Sequence, residues 1–147
     1  LCPMSDDRVK RHERFEFVLR FFAYLNNYKN FKHLVNEFLN AYLINHLENF
    51  DENVFYADFQ NMLSFVKNNF PCGFAKTENA KSTPRVRFEA ISIGVALALR
   101  EKPDLKIKNI DWINSDEFKQ YTTSDASNNN TKLRLRIEYV RDQLLKE

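Results

Sequence analysis

Three histidines and their acidic neighbours are the residues whose types could bind a metal ion. A di-iron helical bundle needs Glu-x-x-His pairs that project into its core, and none of His12, His33 or His46 has a glutamate three residues before it. Two of these histidines have a glutamate one helical turn later, Glu16 and Glu37, but such pairs are typical of ordinary contacts on a helix surface. We therefore expect no metal site and no cofactor.

The chain also lacks the residues that hydrolysis and nucleotide binding usually require. Helical ribonucleases of the HEPN type carry an arginine upstream of a histidine, at a longer spacing than the three residues that separate Arg8 from His12. The chain has no Gly-rich phosphate loop, no nucleophile elbow and no HNH-like histidine cluster. We expect that this chain by itself is not an enzyme.

One carboxylate, that of Glu89, lies in the most apolar segment of the chain. An unpaired carboxylate in apolar surroundings would destabilise the fold. We therefore predict a buried structural ion pair between Glu89 and Arg20, or between Glu89 and Arg87, which is nearby in the sequence. The alternative is a functional carboxylate in an active site, which would require a pocket that contains Glu89.

Basic residues are grouped along the chain, and this grouping is more informative than the net charge of +2. Residues 36–58 contain five acidic residues and no lysine or arginine. Three other stretches are basic, namely residues 8–14, residues 76–87 and the last helix, residues 132–141. If these groups converge, they could contact phosphate, whose neutralisation supplies much of the affinity for nucleic acid.

Seven residues of the second and third groups are the candidate DNA contacts: Lys76, Lys81, Arg85, Lys132, Arg134, Arg136 and Arg141. The alternative is that they form solvated faces that balance the charge of the acidic helices. A shared face for all the basic groups would favour DNA contact, and scattered positions would favour the solvated faces.

Helices are expected to position these side chains, because the composition disfavours sheets. Hydrophobic residues make up 44% of the chain and include 14 phenylalanines, while only two glycines and four prolines are present. A large apolar core with few turn residues is typical of long helices. We predict an all-α fold, with one domain of five to six helices over residues 1–147.

Apolar residues at helical spacing predict where these helices lie. The segments are about residues 6–27, an apolar face from Phe31 to Phe50, a helix between Asp51 and Pro71, about residues 84–102, a short helix after Ser115 and a last helix around residues 132–144. Asp51, Thr83 and Ser115 are the predicted N-caps. Trp112 and Phe118 are expected to anchor the short helix on the core.

The fourth helix, about residues 84–102, is predicted to lie at the centre of the core. After Phe88 only Glu89, Ser92 and Gly94 interrupt its apolar residues before the helix ends. Glycine inside a helix costs about 1 kcal/mol relative to alanine. We expect close contact with another helix to compensate for that cost at Gly94.

The remaining sequence features concern the setting of the chain. Cys2 and Cys72 lack zinc-site spacing, so we predict two free thiols in a reducing cytoplasm.

The longest nearly apolar run, residues 88–99, is shorter than the roughly 20 residues of a membrane span, and we expect a soluble protein without a membrane partner. Leu1 and Glu147 look like internal points of a larger polypeptide, whose other domain would be a partner, and a homo-oligomer is compatible with the sequence.

Several short motifs resemble one known family. The clearest is Glu16-Phe17-Val18-Leu19-Arg20-Phe21, which looks like the Glu-x-x-Leu-Arg-Phe helix of the GmrSD-type family of prokaryotic proteins. Further resemblances follow in the same order along the chain, at Phe38-Leu39-Asn40, Phe74 and Phe88-Glu89-Ala90-Ile91. Together they span about residues 8–100, and the Arg-rich last helix resembles the C-terminal end of the family.

Members of that family, as the resemblance implies, carry a ParB-like N-terminal domain that hydrolyses nucleotides or resembles a nuclease, and several restrict modified phage DNA. Its Asp-Gly-Gln-Gln-Arg motif, and the HNH motif of some members, are missing from these 147 residues, so no catalytic residue is carried over. The resemblance implies a helical accessory domain of a restriction or phage-defence protein that supports the N-terminal domain and could contact DNA. The alternative is a helical protein-interaction module with no nucleic-acid role, whose binding face is the acidic second helix and the start of the third.

Overall fold

Helices form the regular structure of residues 1–47, 51–123 and 129–146, which are the residues described by the computed structural model. No strand occurs in these ranges, and the all-α prediction is confirmed. Two 3₁₀ helices span Tyr28–Asn30 and Asp111–Asn114. The seven α-helices are α1 (Asp6–Lys10), α2 (Glu13–Asn27), α3 (Val35–His46), α4 (Glu52–Asn69), α5 (Arg85–Glu101), α6 (Asp116–Tyr121) and α7 (Asn130–Leu145).

The prediction of one continuous helix over residues 6–27 is wrong, because the backbone breaks at His12. This residue has a φ of 59°, in the left-handed region, and a right-handed helix cannot continue through it. The break separates α1 from α2 and raises the number of α-helices above the predicted five to six. It also places Arg8 against Glu13, with the Arg8 Nε 2.6 Å from a Glu13 carboxylate oxygen.

The second predicted helix starts later than the apolar spacing indicated. Its first residue is Val35, and Phe31 lies before it in extended backbone. The Phe31 ring is fully buried and packs edge-on against Tyr24 and Phe38, so tertiary packing there replaces helix formation. The predicted continuation to Phe50 falls on residues 48–50, which lie outside the described residues.

Helix capping follows the sequence signals at two of the three predicted positions. The Asp51 carboxylate accepts the N–H groups of the first turn of α4, and the Ser115 hydroxyl accepts that of Phe118 in α6. Thr83 is not an N-cap, because Pro84 takes that position and α5 begins at Arg85. The Thr83 backbone is held instead by Pro3, whose carbonyl accepts the Thr83 N–H at 2.8 Å.

The predicted central helix is confirmed, since α5 is buried over almost its whole length and packs against α2, α4 and α7. Its contacts with α7 advance in the same direction along both helices. Glu89 meets Arg136 near one end, and Glu101 borders a cavity with Arg141 near the other. The two helices are therefore parallel, and both begin at the same end of the molecule.

Gly94 lies at a point of close approach between α5 and α7. A Cβ atom at this position would lie 2.5 Å from the Cβ of Val140 and 2.9 Å from the backbone oxygen of Ile137. The expected close helix contact is confirmed. On α7 the predicted apolar face is buried, and it comprises Leu133, Ile137, Val140 and Leu144.

Aromatic contacts attach α6 to this core, as predicted. The Trp112 ring packs edge-on against Phe118 and Tyr139, with ring centroids 5.8 and 6.0 Å apart. Phe118 is fully buried and α6 packs on α7, which anchors α6 to the core. None of the helices in the described ranges has both the length and the apolar character that spanning a bilayer requires.

Candidate nucleic-acid interface

A cleft of about 690 Å³ opens at the start of α5, between α1 and the loop that follows α4. Four basic side chains line it: Arg8, Arg11, Lys76 and Arg85. The first two come from the kinked N-terminal region, and the other two come from the loop and the first residue of α5. The structure thus brings together two residues from each of the first two basic groups in the sequence.

Glu13 organises the arginines of this cleft. Its side chain is almost fully buried, and its two oxygens lie 2.6 Å from Arg8 Nε, 3.3 Å from Arg11 Nη2 and 3.2 Å from Arg85 Nη2. Arg8 also donates from Nη1 to the Thr83 carbonyl at 2.9 Å. One carboxylate therefore holds three guanidinium groups around the opening, and their positive charge exceeds its negative charge.

The same arrangement changes the acidity of Glu13. Burial acts to raise the pKa of this carboxyl, but the hydrogen bond from Arg8 and the charges of Arg85, Arg8 and Arg11 together outweigh it. The pKa of Glu13 is held below its ordinary value as a result. Glu13 is ionised at neutral pH and keeps the three arginines in place.

We predict that protonation of Glu13 destabilises the protein in acid. Because the pKa of Glu13 in the folded state is lowered from its ordinary value of 4.5, the carboxylate stabilises the fold above that pH, and the contribution is lost as the pH falls through the folded-state pKa. Urea denaturation should show that wild-type protein is more stable than Glu13→Gln at neutral pH, with the difference shrinking in acid. A difference independent of pH would contradict this role.

The start of α5 adds positive potential to the cleft. Pro84 precedes the helix without a side-chain cap, and its carbonyl accepts the N–H groups of Arg87 and Phe88. The N–H groups in the first turn of a helix carry partial positive charge. Pro84, Arg85 and Val86 border the cleft, so this end of the helix adds to the attraction that the basic side chains exert on an anion.

Two further candidate residues lie at the same end of the molecule. Lys81 is exposed and immediately precedes Ser82, which lines the cleft. Lys132 is exposed in the first turn of α7, and α7 begins at the same end as α5 because the two helices are parallel. Both lysines add positive charge at the end of the molecule where the cleft opens.

Arg134 and Arg141 do not join the cleft. Arg134 Nε lies 3.8 Å from a carboxylate oxygen of Glu138 on α7 itself. Arg141 Nη2 lies 2.6 Å from Asp142, and Arg141 borders a cavity at the end of α5. That cavity is roughly 20 Å from the cleft, given a helical rise of about 1.5 Å per residue.

Arg136 is not a surface residue, so its assignment as a DNA contact is wrong. Its side chain is fully buried, and its Nη2 donates to Glu89 Oε2 at 2.5 Å. The physical reason is that α7 packs along α5 at the level of Glu89, whose buried carboxylate requires positive partners. The last helix therefore has its basic residues on both its core and solvent faces.

The predicted ion pair between Arg20 and Glu89 is confirmed. Arg20 Nη1 donates to Glu89 Oε1 at 2.7 Å, and Glu89 is 1% exposed. The alternative partner, Arg87, is buried elsewhere, with its Nε donating to the Ala75 carbonyl and its guanidinium over the Phe118 ring. Desolvation there lowers the pKa of Arg87. A Glu89-centred active site would need an accessible carboxylate, and Glu89 is enclosed by two arginines.

A chain of charges links the cleft to this buried pair. Arg85 lies 3.2 Å from Glu13 and 3.8 Å from Glu16, and Glu16 accepts from Arg20 at 2.7 Å. Arg20 in turn contacts Glu89, as described above. Arg85 is therefore connected through Glu16 and Arg20 to the buried centre of the protein.

The structure also shows the surroundings of the two cysteines and of the residue types that bind metals. Within the described ranges, no three or more histidine, cysteine, aspartate or glutamate side chains are grouped so that they could hold a metal ion. Cys2 and Cys72 are partly buried free thiols. Burial raises the pKa of the Cys2 thiol, which disfavours its reactive thiolate form.

Arg8 and Arg11 belong to the basic stretch of residues 8–14 but are not among the seven candidate DNA contacts that the sequence indicates. Their approach to Lys76 and Arg85 depends on the break at His12, for which the sequence has no strong local signal.

Comparison of the chain with protein-family models, with curated proteins and with solved structures finds no match.

Proposed function

We propose that this chain is a non-catalytic helical domain that contacts the phosphate backbone of DNA through the cleft at the start of α5. The observation that carries the proposal is the convergence of Arg8, Arg11, Lys76 and Arg85, from separate parts of the chain, on one opening. Arginine and lysine side chains at a helix start are a common arrangement for binding phosphate groups. The cleft recognises charge rather than sequence, so we expect weak discrimination between DNA sequences.

The biological setting is part of the same proposal. The motifs around Glu16 and Glu89 resemble those of GmrSD-type restriction and phage-defence proteins. In a protein of this type, the helical domain would support the N-terminal domain of the same polypeptide. In that role it would hold DNA near a catalytic centre located elsewhere in the polypeptide. The link from Arg85 through Glu16 and Arg20 to Glu89 supports a fixed position for Arg85 in the contact surface.

The proposal is tested by fluorescence anisotropy with labelled duplex DNA at low and at physiological salt. The cleft variant replaces Arg11, Lys76 and Arg85 by glutamine, since these side chains are the more exposed ones and Arg8 is partly structural. We expect binding by the wild-type protein at low salt and a strong loss in the variant. Log affinity should also decrease less steeply with log salt concentration in the variant. The magnitude of this slope should be smaller by roughly 2 to 3, because three phosphate contacts are removed and each contributes about 0.9.

Two matched variants separate a specific cleft from general electrostatic attraction. The first replaces exposed Lys32, Lys67 and Lys102 by glutamine and thus removes the same charge outside the cleft. The second replaces Lys132, Arg134 and Arg141 and measures the contribution of α7. Equal losses in the cleft variant and the first control would contradict the proposal, as would an absence of binding at low salt.

A further inference from the structure

Another cavity, of about 180 Å³, lies between the N-terminal segment of residues 1–4, α2 and α4. Its buried lining residues are Phe17, Phe74 and Phe88. The Phe88 ring centroid lies 4.6 Å from that of Phe17 and 4.9 Å from that of Phe74, so the three rings form one continuous apolar surface. Phe59 and Leu63 of α4 also line the cavity. We call it the phenylalanine cavity.

The N-terminal segment is a fixed part of this cavity. The Phe74 N–H donates to the Leu1 carbonyl at 2.9 Å, and the Thr83 N–H donates to the Pro3 carbonyl at 2.8 Å. These hydrogen bonds hold residues 1–4 against the loop that follows α4. The cavity is therefore already formed before any ligand enters, as is usual for small-molecule sites.

The phenylalanine cavity reaches the surface of the protein. Leu1 and Val18 both line it, and they are 48% and 36% exposed. Arg14, which also lines the cavity, lies one helical turn before Val18 on the same face of α2. A ligand can therefore enter beside Val18 and pass the Arg14 side chain.

Arg14 is the only charged residue among the described residues that line the cavity. Burial raises the pKa of the Cys2 thiol, and the positive charge of Arg14 is one of the effects that oppose this rise. Because Cys2 lines the same cavity, the Arg14 charge is felt inside it. No described side chain forms an ion pair or a hydrogen bond with the Arg14 guanidinium.

Size and charge together indicate the class of ligand. An apolar cavity of about 150 Å³ is large enough to hold benzene, and the phenylalanine cavity is slightly larger. Phenylalanine side chains favour an aromatic ring through edge-to-face and offset contacts. An arginine without an acidic partner is suited to a carboxylate, which it can bind through two parallel hydrogen bonds. A single cation matches one negative charge, so a monocarboxylate fits better than a phosphate dianion.

We propose that the phenylalanine cavity binds a small arylalkanoic acid, with the ring against Phe17, Phe74 and Phe88 and the carboxylate on Arg14. This site does not depend on the DNA contact, because Arg8, Arg11, Lys76 and Arg85 line the cleft and none of them lines the cavity.

The probe is 3-phenylpropanoate, titrated into ¹⁵N-labelled protein and followed by amide chemical shifts. We expect saturable binding with a Kd of about 1 mM, which is ordinary for so few ligand atoms. The shift changes should concentrate in residues 1–4, 14–18, 59–63 and 74. The neutral 3-phenylpropanamide should bind at least about fivefold more weakly, and acetate, which has no ring, should not bind measurably.

Two substitutions test the two parts of the site. Val18→Trp should abolish measurable binding, because the larger side chain fills the cavity, whereas Val54→Trp adds the same side chain at an exposed position of α4 outside the cavity and should leave the Kd unchanged. Arg14→Gln should weaken binding of 3-phenylpropanoate at least about fivefold without changing that of the amide. Its matched control is Lys67→Gln, which removes one exposed charge of α4 outside the cavity. Circular dichroism of each variant verifies that the fold is retained.

Several results would overturn the inference. Equal affinities for the acid and the amide, or an unchanged Kd in Arg14→Gln, would show that Arg14 does not recognise a carboxylate. Binding that persists in Val18→Trp, or the absence of saturable binding, would remove the cavity as the site. Shift changes confined to residues 8–11 and 76–87 would place the anion in the basic cleft instead.

Discussion

Replacement of Glu89 by alanine should lower the free energy of unfolding by roughly 3–5 kcal/mol, the range for breaking a buried ion pair. Glu89 accepts hydrogen bonds from Arg20 and Arg136, and all three side chains are buried. Removal of the carboxylate leaves two positive charges close together away from water. The loss should be larger than that from Arg136→Ala, because Arg20 would still neutralise Glu89 in that variant.

Urea denaturation followed by the fluorescence of Trp112, the one tryptophan in the chain, measures this effect. Lys119→Ala is the matched control, because Lys119 and Asp116 form a solvent-exposed pair whose loss should leave the free energy of unfolding almost unchanged. A double variant, Glu89→Leu with Arg136→Leu, should recover part of the stability lost in Glu89→Ala. Similar losses in Glu89→Ala and the Lys119 control would refute the structural role of Glu89.

Gly94→Ala should destabilise the protein by about 1–3 kcal/mol, although the same change in an exposed helix is stabilising. The added Cβ would lie 2.5 Å from the Cβ of Val140 and 2.9 Å from the Ile137 backbone oxygen. Neither atom is the end of a flexible side chain, so α5 and α7 must move apart. Trp112 contacts Tyr139 of α7, and its fluorescence should therefore respond to this movement.

A double-mutant cycle with Val140→Ala distinguishes steric conflict from a general effect of the substitution. Val140→Ala removes the Cγ1 atom that would lie 2.7 Å from the new Cβ, so part of the conflict is relieved in the double variant. The combined loss of stability should then be smaller than the sum of the two single losses. Additive losses, or a stabilising effect of Gly94→Ala, would mean that α5 and α7 are not in close contact at this point.

The all-α fold, the central position of α5 and the caps at Asp51 and Ser115 could be predicted from the sequence. These features depend on residues a few positions apart, since apolar spacing and capping side chains act within one or two helical turns. Gly94 and Glu89 were also informative, because each is unfavourable inside an apolar helix unless a neighbour compensates. Their presence predicted a close helix contact and an ion pair with Arg20 or Arg87, and the structure contains the contact and the pair with Arg20.

Only the tertiary structure decided which basic side chains are buried and which line the cleft. Arg136 lies at an ordinary position of a basic helix, and its burial follows from the packing of α7 on α5, which brings it to Glu89 from 47 residues away. The cleft likewise depends on the left-handed backbone of His12, which turns Arg8 and Arg11 towards Lys76 and Arg85. A local pattern limits which residues share a helix face, whereas the partner of a charged side chain depends on contacts between distant segments that form only when the whole chain packs.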